Sequence, residues 1–434
     1  NNITFTAFDL SYGRIFDLLD GSHNITIESN TLNGIYGNST SSIQSLIYSA
    51  NGSNNNNITI SNNIINNGSY AIQMYGSISN NESNNQIINN TISNCHYYGM
   101  MIYYQDTLTV NGNVISTNSI SANSTQYGIY AMRCDYSSTF SNNSITVFAT
   151  SSNYGLYLSE CDGTNGNELM VYNNSISCNN SVTSSFGIYT NSTNYLKVYY
   201  NSVNLNDGYL TNASAVRFNS GSNIELQNNI FANTKDTYGG YVIYTNSSSN
   251  ITSSDYNNLY STTSYFGYRN GNYPDLSAWQ SITSKDIHSI SADPYFNSNI
   301  DLHANSGACD AYAIPIAEIT IDIDGEARDL INPDLGADEY NMYPDTQAIN
   351  VMFANVTTSQ LDIQWTRGNG DSCLVFMIEG SIGTALPIDN IVYLPNTSFQ
   401  LGGQIGLSGW HCIYRGTGTS VTVSGLNPLT TYRI

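Results

Sequence analysis

One nine-residue stretch, Asn57-Ile58-Thr59-Ile60-Ser61-Asn62-Asn63-Ile64-Ile65, recurs along most of this chain and narrows the folds open to it. With the second Asn of the pair as an anchor, copies fall at Asn30, Asn63, Asn90, Asn113, Asn143, Asn174, Asn201, Asn229 and Asn258. Two positions after each anchor stand Leu32, Ile65, Ile92, Ile115, Ile145, Ile176, Val203, Phe231 and Tyr260, apolar or aromatic every time. Neighbouring anchors lie between 23 residues apart (Asn90 to Asn113) and 33 apart (Asn30 to Asn63). Self-similarity at a period of about 28 residues, with no helical apolar stripe, marks a coiled stack of short strands.

A single unit has to be stacked to be stable. Ile58 and Ile60 alternate with Thr59 and Ser61, so a short strand turns one face inward, and the chain bends at Asn62-Asn63 before a second strand. Asn tolerates a left-handed backbone and suits a corner repeated in every coil. Stacked about 4.8 Å apart, each strand pairs in parallel with its equivalents, Ile sits on Ile, and Asn side chains form a hydrogen-bonded ladder. This pattern resembles the right-handed parallel β-helix of the pectate-lyase-like superfamily. The resemblance implies an all-β chain of about 9–10 coils over residues 1–270, with a closing segment over 271–340.

Composition sets further bounds. Charged residues are 10%, Lys plus Arg number only 11, and the formal net charge is -21, a surface that repels phosphate backbones and excludes nucleic acid as a partner. Periodic hydrophobics at 40% exclude wholesale disorder. No apolar run is long enough for a membrane span and no signal-peptide pattern opens the chain, so membrane insertion is not expected. The chain begins inside a coil with no capping helix, so preceding sequence or another chain is expected to cover that end. Seven cysteines are an odd number for what reads as a secreted protein. Cys134 and Cys161 occupy matching places in consecutive coils, and either a disulfide or two stacked thiols fits there; Cys373 and Cys412 are a second candidate pair.

A third strand follows a variable loop in each coil, clearest at Tyr127-Gly128-Ile129-Tyr130, Tyr154-Gly155-Leu156-Tyr157 and Phe186-Gly187-Ile188-Tyr189. If Ile129, Leu156, Ile188, Val216 and Ile243 face inward, Tyr130, Tyr157, Tyr189, Arg217 and Tyr244 line one outer face. That face is a candidate glycan platform, as related β-helix enzymes and adhesins use it; tyrosine chosen for strand propensity and stacking accounts for it equally simply.

Seven residues after Gly99, Gly128 and Gly155 come Asp106, Asp135 and Asp162, and Asn194 follows Gly187 at the same distance. Three stacked carboxylates repel unless a cation, a proton or solvent intervenes, which makes them candidate calcium ligands. Asp135 and Asp162, with Glu160 nearby, are also the candidate catalytic carboxylates of a polysaccharide hydrolase, and Asp as a turn residue is the third explanation. Beyond calcium at this column no cofactor is expected. Polygalacturonase-like enzymes would carry Asn-Thr-Asp, Asp-Asp, Gly-His-Gly and Arg-Ile-Lys motifs, and a lyase would need a basic residue beside bound carboxylates. The chain has none of those motifs, and its coils offer only isolated cations such as Lys197 and Arg217.

Between about 271 and 340 the repeat fades and Pro, Asp and Glu become denser. The runs Asp301-Leu302-His303, Asp322-Ile323-Asp324-Gly325-Glu326-Ala327-Arg328 and Asp334-Leu335-Gly336-Ala337-Asp338-Glu339-Tyr340 resemble the closing segment of secreted β-helix repeat proteins. Asp322, Asp324 and Glu326 are spaced too closely for an EF-hand, and Arg328 reads as their ion-pair partner. Residues 341–434 form a second unit: Leu361-Asp362-Ile363-Gln364-Trp365 alternates as a strand, and Leu426-Asn427-Pro428-Leu429-Thr430-Thr431-Tyr432 resembles the tyrosine corner of a fibronectin type III domain. That resemblance implies an incomplete immunoglobulin-like sandwich, truncated at its C-terminus.

Coils, closing segment and fibronectin-like module together resemble bacterial surface proteins exported by the type IX system. The expectation is an extracellular structural or adhesive protein, glycan-binding through the tyrosine face and self-associating into filaments by strand complementation. A polysaccharide hydrolase or lyase acting on the outer face is the alternative.

Overall fold

The computed structural model describes residues 2–117, 125–179, 183–206, 212–234, 240–247, 250–340, 347–368, 370, 372–388 and 391–434. The chain divides into two compact units, Asn1–Tyr340 and Asn341–Ile434. In the first, three sheets wind around one core. A ten-stranded sheet runs from Thr4–Thr6 to Asn258–Ser261, a nine-stranded sheet from Thr26–Glu28 to Ile251–Asp255, and a twelve-stranded sheet from Phe16–Leu18 to Asn272–Tyr273. Each strand pairs in parallel with its equivalent one coil away, except for the antiparallel pair that ends the twelve-stranded sheet. This is a parallel β-helix of about nine turns.

The expected inner file is present: Leu32, Ile65, Ile92, Ile115, Ile145, Ile176, Val203 and Phe231 are register partners in sequence and all are buried. The two residues of each turn divide the work. The first takes a left-handed backbone, at Ser29, Asn62, Asn89, Asn142, Asn173, Tyr200, Asn228 and Tyr256, with Gly112 in the same place. The second is a rung of the ladder. Asn143, for example, donates its backbone N–H (3.0 Å) and its side-chain amide (2.9 Å) to Oδ1 of Asn174 one coil on. Its other amide proton goes to the Val110 carbonyl at 3.0 Å. A buried N–H left without a partner costs about 1–3 kcal/mol, so the ladder is what lets a polar corner be buried in every coil.

At the last rung the sequence register was one residue out. Asn257, not Asn258, accepts from Asn229, and Leu259 rather than Tyr260 lies on Phe231. Tyr256 takes the left-handed corner in place of Asn, so a pair-of-Asn signal points one residue too far. Asn257 ends the ladder on the Ser289 hydroxyl (2.9 Å), while Asn258 bonds Ala292.

The glycine of the Tyr-Gly-Ile-Tyr strands marks where the twelve-stranded sheet presses on that inner file. A Cβ at Gly128 would lie 2.4 Å from Ile145 Cγ2 and 2.6 Å from the Gly155 carbonyl oxygen, and Gly99, Gly155 and Gly187 meet Ile115, Ile176 and Val203 in the same way. Regular pairing is interrupted at these glycines, which lets rings three residues apart, such as Tyr127 and Tyr130, both face outward.

The segment after the coils does more than close the end. A helix, Leu276–Thr283, capped by the Asp275 carboxylate on the Ala278 N–H, seats Trp279 against Gly267 at the end of the core. Trp279 Nε1 donates to buried Asp286, whose other oxygen gathers Ser254, Ser289 and Asn257. The chain then turns back along the flank of earlier coils. Ile314 and Ile321 carbonyls accept from the left-handed Asn228 and Asn173 side chains, and Leu335, Cys309, Ala313 and Ile319 pack on Tyr199, Tyr200 and Ile230. Arg328 is buried there over the Tyr200 ring, and its carboxylate partner is Glu339 at 3.2 Å. The sequence had paired it with Asp322, Asp324 and Glu326. Asp322 instead accepts the backbone N–H of Asp324, Glu326 and Glu339, a polar knot within the segment.

The second unit holds two three-stranded antiparallel sheets, one of Ile349–Ala354, Gln360–Thr366 and Ser420–Ser424, the other of Cys373–Glu379, His411–Gly416 and Tyr432–Arg433. Ile363, Trp365, Met377, Ile413 and Val423 are buried in one cluster. All seven cysteines are free thiols. Cys373 lies opposite Gly416 while Cys412 lies opposite Phe376, and the two pack in different clusters, so the candidate Cys373–Cys412 bridge is not formed. Of the two arrangements open for Cys134 and Cys161, the structure has the stacked thiols: the Cys134 N–H donates to Cys161 Sγ at 3.4 Å, and each sulfur bonds a backbone carbonyl.

Candidate functional site

Three features could carry function: the tyrosine flank, the aspartate column and a cleft beneath the returning segment. On the flank the sequence found one file of rings and the structure has two. Tyr130, Tyr157, Tyr189, Arg217, Tyr244 and Tyr268 are successive partners, half-buried and facing outward. Beside them runs Tyr70, Tyr98, Tyr127, Tyr154 and Phe186. Rings in this second file stack nearly parallel, with centroids 4.9 Å apart for Tyr70–Tyr98, 4.6 Å for Tyr98–Tyr127 and 4.8 Å for Tyr127–Tyr154. The signal for it was the aromatic residue before each glycine. Tyr70, Tyr98 and Phe186 are buried in this file and Tyr127 and Tyr154 half-buried, and because most rings cover a neighbour's face the flank presents mainly ring edges and hydroxyls to solvent. Burial holds the Tyr127 and Tyr157 hydroxyls well above the ordinary phenol range and pushes Tyr70 up to about 12. They are therefore neutral donors and acceptors. At Ser214 the ring file is interrupted, and Arg217 reaches over Tyr244 (3.9 Å) and Phe186 (5.4 Å), one guanidinium nitrogen bonding Asn212.

The aspartates do stack, Asp106 on Asp135 and Asp162 on Asn194. Oδ1 of each is taken by a protein donor. Asp135 Oδ1 accepts the Asp162 N–H (2.8 Å), Asp162 Oδ1 accepts both the backbone and the amide of Asn194 (3.0 and 2.8 Å), and Asp106 Oδ1 accepts Asn81 (2.8 Å). Burial, partly offset by the Asp162 N–H and reinforced by the neighbouring charges, pushes Asp135 up to about 6. Glu160 is bound to Arg133 at 2.7 Å and does not point its charge at the column partners. The arrangement is a short ladder running beside the asparagine one; Asp106, Asp135 and Asp162 do not bring ligand atoms to a common point.

Such a convergence occurs elsewhere. A cleft of about 510 Å³ opens between the returning segment and the coil surface, lined by Val114, Asn142, Ser144, Ile300, His303 and Asp338 among others. His303 bonds Asp301 through Nδ1 and Asp324 through Nε2 (2.7 Å). Burial works against a charged imidazole, but the two carboxylates outweigh it and push His303 up to about 9. Asp338, 9% exposed, is pushed up to about 7 by burial, with His303 opposing and Asp322, Asp324 and Glu326 adding to it. The one local signal for this cluster in the sequence is the Asp301-Leu302-His303 run.

A family model described as the right-handed beta helix region matches residues 2–160. A search of curated proteins found no match. Among solved structures, the chain is similar to the periplasmic alginate epimerase AlgG at 12% identity, covering 58% of this chain and 69% of that one with a TM-score of 0.32.

Proposed function

We propose that this protein is an extracellular structural or adhesive surface protein that holds glycan along its tyrosine flank. The observation that carries the reading is the half-exposed file Tyr130, Tyr157, Tyr189, Arg217, Tyr244 and Tyr268, which sets hydroxyl groups at the strand spacing of about 4.8 Å along one face, with Arg217 as the cation among them. A linear polysaccharide offers hydroxyls, and in acidic sugars carboxylates, at a comparable repeat. Since stacking closes the ring faces, recognition runs through hydroxyl edges and the guanidinium rather than through sugar rings lying flat on aromatics. The second unit is proposed to be a fibronectin type III-like module: the Tyr432 hydroxyl accepts the Asn427 N–H at 2.8 Å, as a tyrosine corner does.

The aspartate column argues against hydrolysis on this face, because Asp135 and Asp162 each already accept a backbone N–H from the next coil. Binding to a panel of neutral and acidic polysaccharides, read by affinity electrophoresis, tests the proposal. Tyr157→Phe with Tyr189→Phe keeps the rings and removes the hydroxyls, and is expected to lower retention together with Arg217→Ala. Turnover that disappears in Asp135→Asn or Asp162→Asn would establish the enzyme instead.

A further inference from the structure

The cleft beneath the returning segment contains a group that the glycan proposal leaves unused. His303, Asp324 and Asp338 each offer one ligand atom, and the three atoms lie within 4.8 Å of one another. Two independent features suggest that the group faces a cation. Asp338 is about nine-tenths buried, lines the cleft and accepts no hydrogen bond among the described residues, and His303 is the one positive group set against its acidic neighbours Asp322, Asp324 and Glu326. A carboxylate withdrawn from water without a donor is costly unless a positive charge meets it. The His303 ring, in turn, is held at Nδ1 by Asp301, leaving Nε2 directed toward Asp324. A carboxylate on the far nitrogen is how proteins orient a metal-binding imidazole.

We propose that His303 Nε2, Asp324 and Asp338 bind one divalent first-row transition cation of the zinc class, with a coordination position open to the cleft. One imidazole nitrogen with two carboxylates suits such an ion, whereas calcium takes six to eight oxygens. The three ligands come from separate places in the returning segment, so the ion ties that segment into one piece over the coils. Without it, a doubly protonated His303 donates to Asp301 through Nδ1 and to Asp324 through Nε2, and Asp338 has its charge opposed but receives no donor of its own. The role is structural, and the open position would admit a water or an anionic group from the cleft.

The experiment uses the full chain, stripped with EDTA and titrated calorimetrically with zinc chloride, with manganese and calcium chlorides in parallel. One high-affinity zinc per chain is expected, with a raised melting temperature and much weaker calcium binding. His303→Gln and Asp338→Asn should each weaken zinc by at least about tenfold, while Asp106→Asn leaves it unchanged. Zinc binding that is absent from the wild type, weaker than calcium binding, or untouched in folded His303→Gln and Asp338→Asn chains overturns the proposal. Should those variants not fold, X-ray absorption of the zinc-loaded wild type decides: a shell of one imidazole nitrogen with oxygens supports the site, and a shell containing sulfur or lacking imidazole overturns it.

Discussion

The asparagine column and the aspartate column use the same acceptor, an Oδ1 that takes a backbone N–H from the neighbouring coil, and yet one runs the length of the β-helix and the other only a few coils. The difference lies in what the rest of the side chain offers. An Asn rung both accepts and donates, so Asn143 joins Asn113 on one side and Asn174 on the other, fully buried. An Asp rung only accepts, so Asp135 and Asp162 stack at the cost of mutual repulsion, half in solvent, until Asn194 restores donors. The two columns also point opposite ways: Asn143 donates forward to Asn174, whereas Asp162 donates back to Asp135.

Substituting within each column breaks or sharpens the contrast. The largest effect is expected for Asn143→Leu, which strands the Asn113 N–H and the Val110 carbonyl in the core; a loss of roughly 3–5 kcal/mol in denaturant unfolding is expected, and a loss below about 1 kcal/mol would show that the ladder is dispensable. Next is Gly128→Ala, which touches neither column and forces a methyl onto Ile145; about 1–3 kcal/mol is expected from the same measurement.

Asp135→Asn is expected to act mainly through pH. The folded-state carboxyl titrates near 6, above its ordinary 3.8, so the folded chain holds this proton more tightly than the unfolded one. Stability from this group is therefore greatest below about pH 4 and falls as pH rises through 6. Asp338, raised to about 7, adds a loss of the same sign that extends to higher pH. Melting temperatures of the wild type should fall between pH 4 and 7, and Asp135→Asn should flatten the lower part of that slope without loss of stability at pH 7. The smallest change is expected for Tyr157→Phe, which keeps the stacking with Tyr130 at 4.6 Å and should leave the melting temperature nearly unmoved while reducing glycan retention.

Much of the fold was legible because the repeat is a one-dimensional pattern. Inward Ile129, Leu156 and Ile188, the Asn rungs and the stacked aspartates all follow from equal spacing in consecutive coils, and register alone places them. The register slip at Asn257 came where Tyr256 supplied the left-handed corner, a role the sequence had assigned to Asn. The Cys373–Cys412 misreading came from the second unit, where no repeat constrains strand offset.

The sequence by itself determined the coil, its polar corners and its aromatic flank, because parallel stacking maps a period directly onto neighbours in space. Only the tertiary structure decided where residues after Trp279 go, that Arg328 meets Glu339, and that His303, Asp324 and Asp338 converge. Those contacts join residues with no shared period, brought together by a segment that folds back across coils laid down over a hundred residues earlier, as when Ile321 meets Asn173. Periodicity carries no information about such a return; packing against Tyr199, Tyr200 and Ile230 does.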